Sequence, residues 1–285
     1  MYLISVLLTL AGLISPPQTR GESLVAELLK HELLASERIA NYERTLLLVT
    51  KGTNFENRWQ VNQRVKGDYL NVFVLKAGIR IRPDLPEGLG EFFGSCTSLG
   101  EKNIVICDDR FVGTFLEVHK VPDMIKAHPD RDNQWRRHNE AFLYWVLGHE
   151  IGHITRGHGA AHFGSGSDRL EREAPDSSIE YDQELVADAF LVDQVSKDKE
   201  MSLSLVTMSI DLLNAEIREK VGVTPVGAGI LFDYTNKKLV RYMRLRTHPE
   251  YVIRLTRVLQ RLGELEGNEG LKNMADAFAR NLREG

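Results

Sequence analysis

The chain has 285 residues, 42% of them hydrophobic and 27% charged, ordinary proportions for a soluble globular protein with a sizeable core. Its 36 basic and 40 acidic residues leave a formal net charge of -4 with no long block of either sign. That balance gives no sign of nucleic acid as a partner or of a function built on a basic surface.

Residues 1–20 open with "MYLISVLLTLAGLI", apolar apart from Ser5 and Thr9, and run into the turn-rich "SPPQTRGES". The apolar run is shorter than the roughly 20 residues a bilayer span takes. It reads as the hydrophobic part of a signal peptide or as an N-terminal anchor. No Lys or Arg precedes it and no clean A-x-A-like cleavage site follows, so a packed N-terminal helix is the remaining alternative. Residues 21–285 are expected to form one domain, periplasmic or secreted, with membrane anchoring through the N-terminal segment as the other reading. Peripheral association with a membrane stays open.

Leucines and alanines at three- and four-residue intervals predict an amphipathic helix over residues 23–48. From Trp59 to Asp109 the texture changes to short β-branched and aromatic runs, "NVFVLKAGIRI" and "KNIVICDD", which predict a small sheet. The only cysteines are Cys96 and Cys107, and "FFGSCTSLGEKNIVICDD" can fold as a hairpin that faces them across a loop at Gly100 to Asn103. In an oxidising compartment they would form a disulfide; in a reducing one they would be two small core residues.

A helical pattern returns at about residue 133 and runs to about Arg156, with Phe142, Trp145, Val146 and Ile154 available for packing. Residues 157–180 are rich in Gly, Ser and charge and predict a loop. Beyond Tyr181 the pattern is mostly helical, including a segment around 231–245 and the run "PEYVIRLTRVLQRLGEL". This order, with no internal repeat, predicts an α+β fold whose C-terminal half is helical. A boundary near residue 160 would divide two lobes of one unit.

The chemistry concentrates in "VLGHEIGHITRGH", where His149, Glu150 and His153 fit H-E-x-x-H. On a helix, residues four apart share a face, so both imidazoles can point at one ion. Glu150 can then reach a water whose pKa that ion lowers, as general base and later general acid. The bland alternative is an exposed helix with two solvated histidines. The interleaved Leu147, Ile151 and Ile154 argue for a half-buried segment instead, where uncoordinated histidines would need other partners. The extended motif H-E-x-x-H-x-x-G-x-x-H fails at both later positions, which hold Arg156 and Gly159. His158 and His162 are poor candidates for a third ligand. "ELVADAF" places Glu184 and Asp188 four apart on a predicted helix, so Glu184 can complete a two-histidine, one-glutamate site for Zn2+ and Asp188 can accept the second ring N–H of a ligand histidine. A solvated acidic face would show the same spacing.

"HEIGH" at 149–153 followed by "ELVAD" at 184–188 resembles the gluzincin metallopeptidases. The likeness is to the family that includes CAAX prenyl proteases, heat-shock membrane proteases and periplasmic proteases of outer-membrane-assembly quality control. "NEAFLYWVLGHEIGH" is similar to that family's helix leading into the metal site, and "THPEYVIRL" at 247–255 to its H-P segment. The resemblance implies a zincin-like domain with one Zn2+ per chain on His149, His153 and Glu184, Glu150 as general base, and Asp188 behind a ligand. It also implies a role for His248 across the cleft, as oxyanion stabiliser or as a plug on the metal. The substrate would be polypeptide, including unfolded or misassembled envelope proteins, bound as an added strand along a sheet edge. "KNIVICDD" is a candidate for that edge or for a core strand. The rival function is a zinc-containing chaperone or adaptor with little peptidase activity; the presence of Glu150 argues against it.

Overall fold

The computed structural model describes residues 36–75, 96–99, 103–109, 111–118, 120–158, 177–221 and 251–284. Expectations for residues 1–20, for the segment around 231–245 and for His248 fall outside these residues.

In chain order the elements are α1 (Ser36–Val49), β1 (Trp59–Val61), β2 (Leu70–Leu75), β3 (Cys96–Leu99) and β4 (Ile104–Asp108). They continue with α2 (Phe111–Val118), α3 (Val121–Ile125), α4 (Arg131–Thr155), α5 (Ser177–Val195), α6 (Lys199–Val221), α7 (Tyr251–Glu266) and α8 (Glu269–Glu284). One small mixed sheet followed by a helical C-terminal half is the α+β organisation expected from the pattern. Among the described residues no helix is long and apolar enough to cross a membrane.

The sheet has the order β1-β2-β4-β3, with β1, β2 and β4 parallel and β3 antiparallel on the outside. β2 and β4 occupy the middle, and their near-continuous apolar runs "LNVFVL" and "IVICD" are buried on both faces, as central strands require. "KNIVICDD" therefore supplies a core strand, and among the described residues the sheet edges are β1 and β3. β1 and β2 run parallel although only residues 62–69 join them. The buried Asn71 braces this loop, accepting from the Val65 N–H at 2.7 Å and donating to the carbonyls of Val65 and Tyr69, both at 3.1 Å. Cys96 and Cys107 lie directly opposite in the β3–β4 register and form a disulfide.

The long helix α4 lies at the centre, with α1, α5, α6 and β3 packed around it. Phe142, Tyr144, Trp145, Leu147 and Ile151 are all buried, so no single apolar stripe is present: a helix covered on most sides has little polar face to contrast with. α1 covers one side through Tyr42, Leu46 and Val49, spaced as one helical face. α4 ends where Gly157 takes a positive φ of 72° and its N–H bonds back to the Ile154 carbonyl, a turn that glycine adopts without steric cost. α5 starts at Ser177, ahead of the expected start near Tyr181.

Candidate metal centre

His149 and His153, one turn apart on α4, are each 5% exposed, and their rings meet edge to face with centroids 4.5 Å apart. Their Nε2 atoms are 3.0 Å from each other. Glu184, from α5, brings Oε2 to 3.2 Å from Nε2 of His149 and Oε1 to 3.2 Å from Nε2 of His153. Among the described residues these three form the only cluster of His, Cys, Asp or Glu with ligand-like geometry.

The carboxylate thus turns one oxygen to each imidazole nitrogen, and one donor atom from each of the three side chains lies within 4.8 Å of the other two. A tetrahedral ion with bonds of 2.0–2.1 Å has ligand atoms about 3.3 Å apart, near the individual separations found between these groups. Two imidazole nitrogens and one carboxylate oxygen suit zinc, whereas magnesium and calcium call for all-oxygen surroundings. The residues present fit Zn2+.

The far side of each imidazole is also held. Nδ1 of His149 donates to Oδ1 of Asp188 at 2.9 Å, so loss of the Nε2 proton to an arriving ion would leave the Nε2 lone pair facing Glu184. Nδ1 of His153 lies 3.2 Å from Nδ1 of His158, on the side of the ring away from Glu184, so His158 is placed behind a candidate ligand, where donation from His153 Nδ1 would leave its Nε2 for an ion.

Asp188 is 2% exposed. Besides His149 it accepts from Trp145 Nε1 at 3.2 Å and from Arg254 through Nε at 2.8 Å and Nη2 at 2.9 Å. Four donors satisfy a carboxylate that would otherwise be prohibitively costly to bury. The Arg254 guanidinium, brought in by α7, also stands 3.5 Å from Oε2 of Glu184 and lies over the Trp145 ring at 5.1 Å.

Burial pushes the Asp188 carboxyl up, but the charges of Arg254 and His149 and their hydrogen bonds overcome it and hold the carboxyl well below its ordinary range. Glu184 follows the same pattern: burial raises it, and hydrogen bonds from His149 and His153 with the charges of His149 and Arg254 bring it far down. For His149, burial and Arg254 disfavour the imidazolium, while Asp188 and Glu184 favour it more strongly, so its pKa rises from 6.5 to about 9. Without an ion the pocket therefore keeps a proton where a cation fits, between two ionised carboxylates.

Glu150 follows His149 in sequence and is half-buried, close enough for its charge to act on Arg254. The structure brings His149, His153 and Glu184 together and sets Asp188 behind His149. Three contributors carry no role in the sequence reading. Arg254 lies inside "THPEYVIRL", but its partners are known only once α7 packs on α5. Trp145 reads as a packing residue, and its indole N–H also serves Asp188. His158 is set aside as a ligand, and its contact with His153 has no sequence signal beyond proximity. Comparison with protein-family models, curated proteins and solved structures finds no match.

Proposed function

We propose that the chain is a zinc-dependent metalloendopeptidase of zincin-like architecture that hydrolyses polypeptide chains in the cell envelope. The observation that carries this reading is the triangle of His149 Nε2, His153 Nε2 and Glu184 Oε atoms, drawn from two helices, with Glu150 in the next position to the first ligand. A purely structural site has no use for that carboxylate.

Zinc, when bound, supplies a Lewis acid that lowers the pKa of a water and polarises the scissile carbonyl. Glu150 removes the proton from the attacking water and delivers it to the amide nitrogen as the C–N bond breaks. Once the Nε2 protons have been displaced, Asp188 behind His149 and His158 behind His153 would hold the Nδ1 sides of the two imidazoles and leave Nε2 to the metal. Arg254 is the main group that keeps Asp188 ionised before any metal arrives, and it adds to the two histidines in keeping Glu184 so.

The Cys96–Cys107 disulfide supports a periplasmic or secreted location, since such bonds persist in oxidising compartments. Supporting the zincin-like reading, the edge strand β3 is the strand most closely packed on α4. The test is titration of the metal-free protein with Zn2+ alone, followed by digestion of an unfolded protein such as casein. About one equivalent should bind, and cleavage should stop on chelation and return with zinc. Absence of zinc binding would end this reading; binding without any cleavage would leave a metal protein that is not a peptidase.

A further inference from the structure

Resting on the zinc reading above, we infer that Gly152 is a positioning residue for the site: its missing side chain sets the distance between α4 and α5 and thereby the reach of Glu184 to the two histidines.

The third ligand arrives on a different helix from the first two, so ligand spacing depends on how closely the two helices approach. Beside the site that approach brings backbone close to backbone. A Cβ built on Gly152 would stand 2.8 Å from the carbonyl oxygen of Ala187, 3.0 Å from its Cα and 3.2 Å from its carbonyl carbon. Gly152 immediately precedes the ligand His153, and Ala187 immediately precedes Asp188 and lies three residues after the ligand Glu184. The contact is backbone on both sides, so no rotamer change relieves it.

Restoring ordinary contact, which begins near 3.4 Å, would require the helices to part by about 0.6 Å at this level. Zinc sites tolerate ligand distances within about 0.2 Å of ideal, roughly a third of that displacement. One methyl group would thus open the His149–His153–Glu184 triangle beyond what one ion bridges.

Gly148, one turn earlier, is different in kind. A Cβ there would meet the Cδ1 of Leu191 at 2.5 Å, the end of a flexible side chain, with Leu191 Cβ and Val49 Cγ1 both at 3.3 Å. Leu191 can withdraw, so the α4–α5 distance is less sensitive at Gly148 than at Gly152.

The experiment compares Gly152→Ala, Gly148→Ala and wild type, each stripped of metal. Zn2+ affinity is read by competition with a chromophoric chelator, and melting is followed with and without Zn2+. The expected result is a fall in zinc affinity of about tenfold or more for Gly152→Ala, with a smaller zinc-induced rise in Tm than wild type shows from its own metal-free baseline. A merely structural glycine would lower both melting points and leave that rise intact. A folded Gly152→Ala protein that binds zinc as tightly as wild type overturns the inference. Should Gly152→Ala fail to fold in buffer, it is compared with wild type and Gly148→Ala in an excluded osmolyte that restores folding: a loss of about tenfold or more is again expected for Gly152→Ala alone, and an affinity equal to wild type under those conditions overturns the inference. Wild-type protein that binds no zinc would instead remove the reading on which it rests.

Discussion

Replacing Arg254 by Met removes a guanidinium that faces both carboxylates of the site while leaving a side chain of similar length against Trp145. Asp188, 2% exposed, would lose two of its four donors and its counter-charge, and Glu184 a guanidinium at 3.5 Å. Breaking a buried pair from one side costs about 3–5 kcal/mol because the remaining charge stays desolvated. The Coulomb energy of such a pair at an effective dielectric near 20 is about 4 kcal/mol at 4 Å. His149 and Trp145 still hold Asp188, which puts the expected loss at the lower end, about 3 kcal/mol. For a chain of this size that corresponds to a fall in Tm of about 6–12 °C in the metal-free protein, measured by circular dichroism. Arg254→Lys keeps the charge but not the fork and should lose about half as much. Saturating zinc should shrink the Arg254→Met deficit, since a dication then neutralises the same carboxylates. A metal-free Arg254→Met protein that melts with wild type would refute the claim that Arg254 holds Asp188 and Glu184 in place.

Stability of the metal-free protein should vary with pH in two opposite ways. Asp188 and Glu184 have folded-state pKa values below their ordinary 3.8 and 4.5, so their stabilisation is present above those values and lost as pH falls. His149, raised from 6.5 to about 9, contributes fully below 6.5, and that contribution is lost as pH rises through about 9. Urea midpoints should therefore be highest between these limits, and a flat profile from pH 6.5 to 9 would contradict the protonated His149. Zinc should abolish the alkaline loss, because binding releases that proton. The double variant Cys96→Ser, Cys107→Ser opens a cross-link spanning 11 residues and should cost about 3 kcal/mol in denaturant unfolding under oxidising conditions. An unchanged midpoint would mean that strand pairing alone constrains β3.

The candidate metal ligands are legible in the sequence because the relevant geometry is local. Four-residue spacing on a helix puts His149 beside His153, and Glu184 on the same face as Asp188. The pairing of Cys96 with Cys107 is legible for a similar reason, since a short hairpin fixes its own register. What escapes is non-local. Strand order places Ile104–Asp108 in the middle of the sheet, and nothing in that strand's own text distinguishes a buried centre from an apolar edge. Arg254 sits on the strongly amphipathic α7, where an arginine reads as one more polar-face residue until α7 is packed on α5 and the side chain becomes 19% exposed. Gly152 looks like a weak point in a helix, costing about 1 kcal/mol relative to alanine; its use appears only against the backbone of Ala187.

The most direct test of the proposed chemistry is Glu150→Gln, which removes the proposed general base while keeping nearly the same shape next to the candidate ligand His149. The variant should take up zinc like wild type and melt with it, while hydrolysis of casein falls by about 100-fold or more. Retention of wild-type turnover by a zinc-loaded Glu150→Gln protein would contradict the assignment of Glu150 and the hydrolytic mechanism built on it.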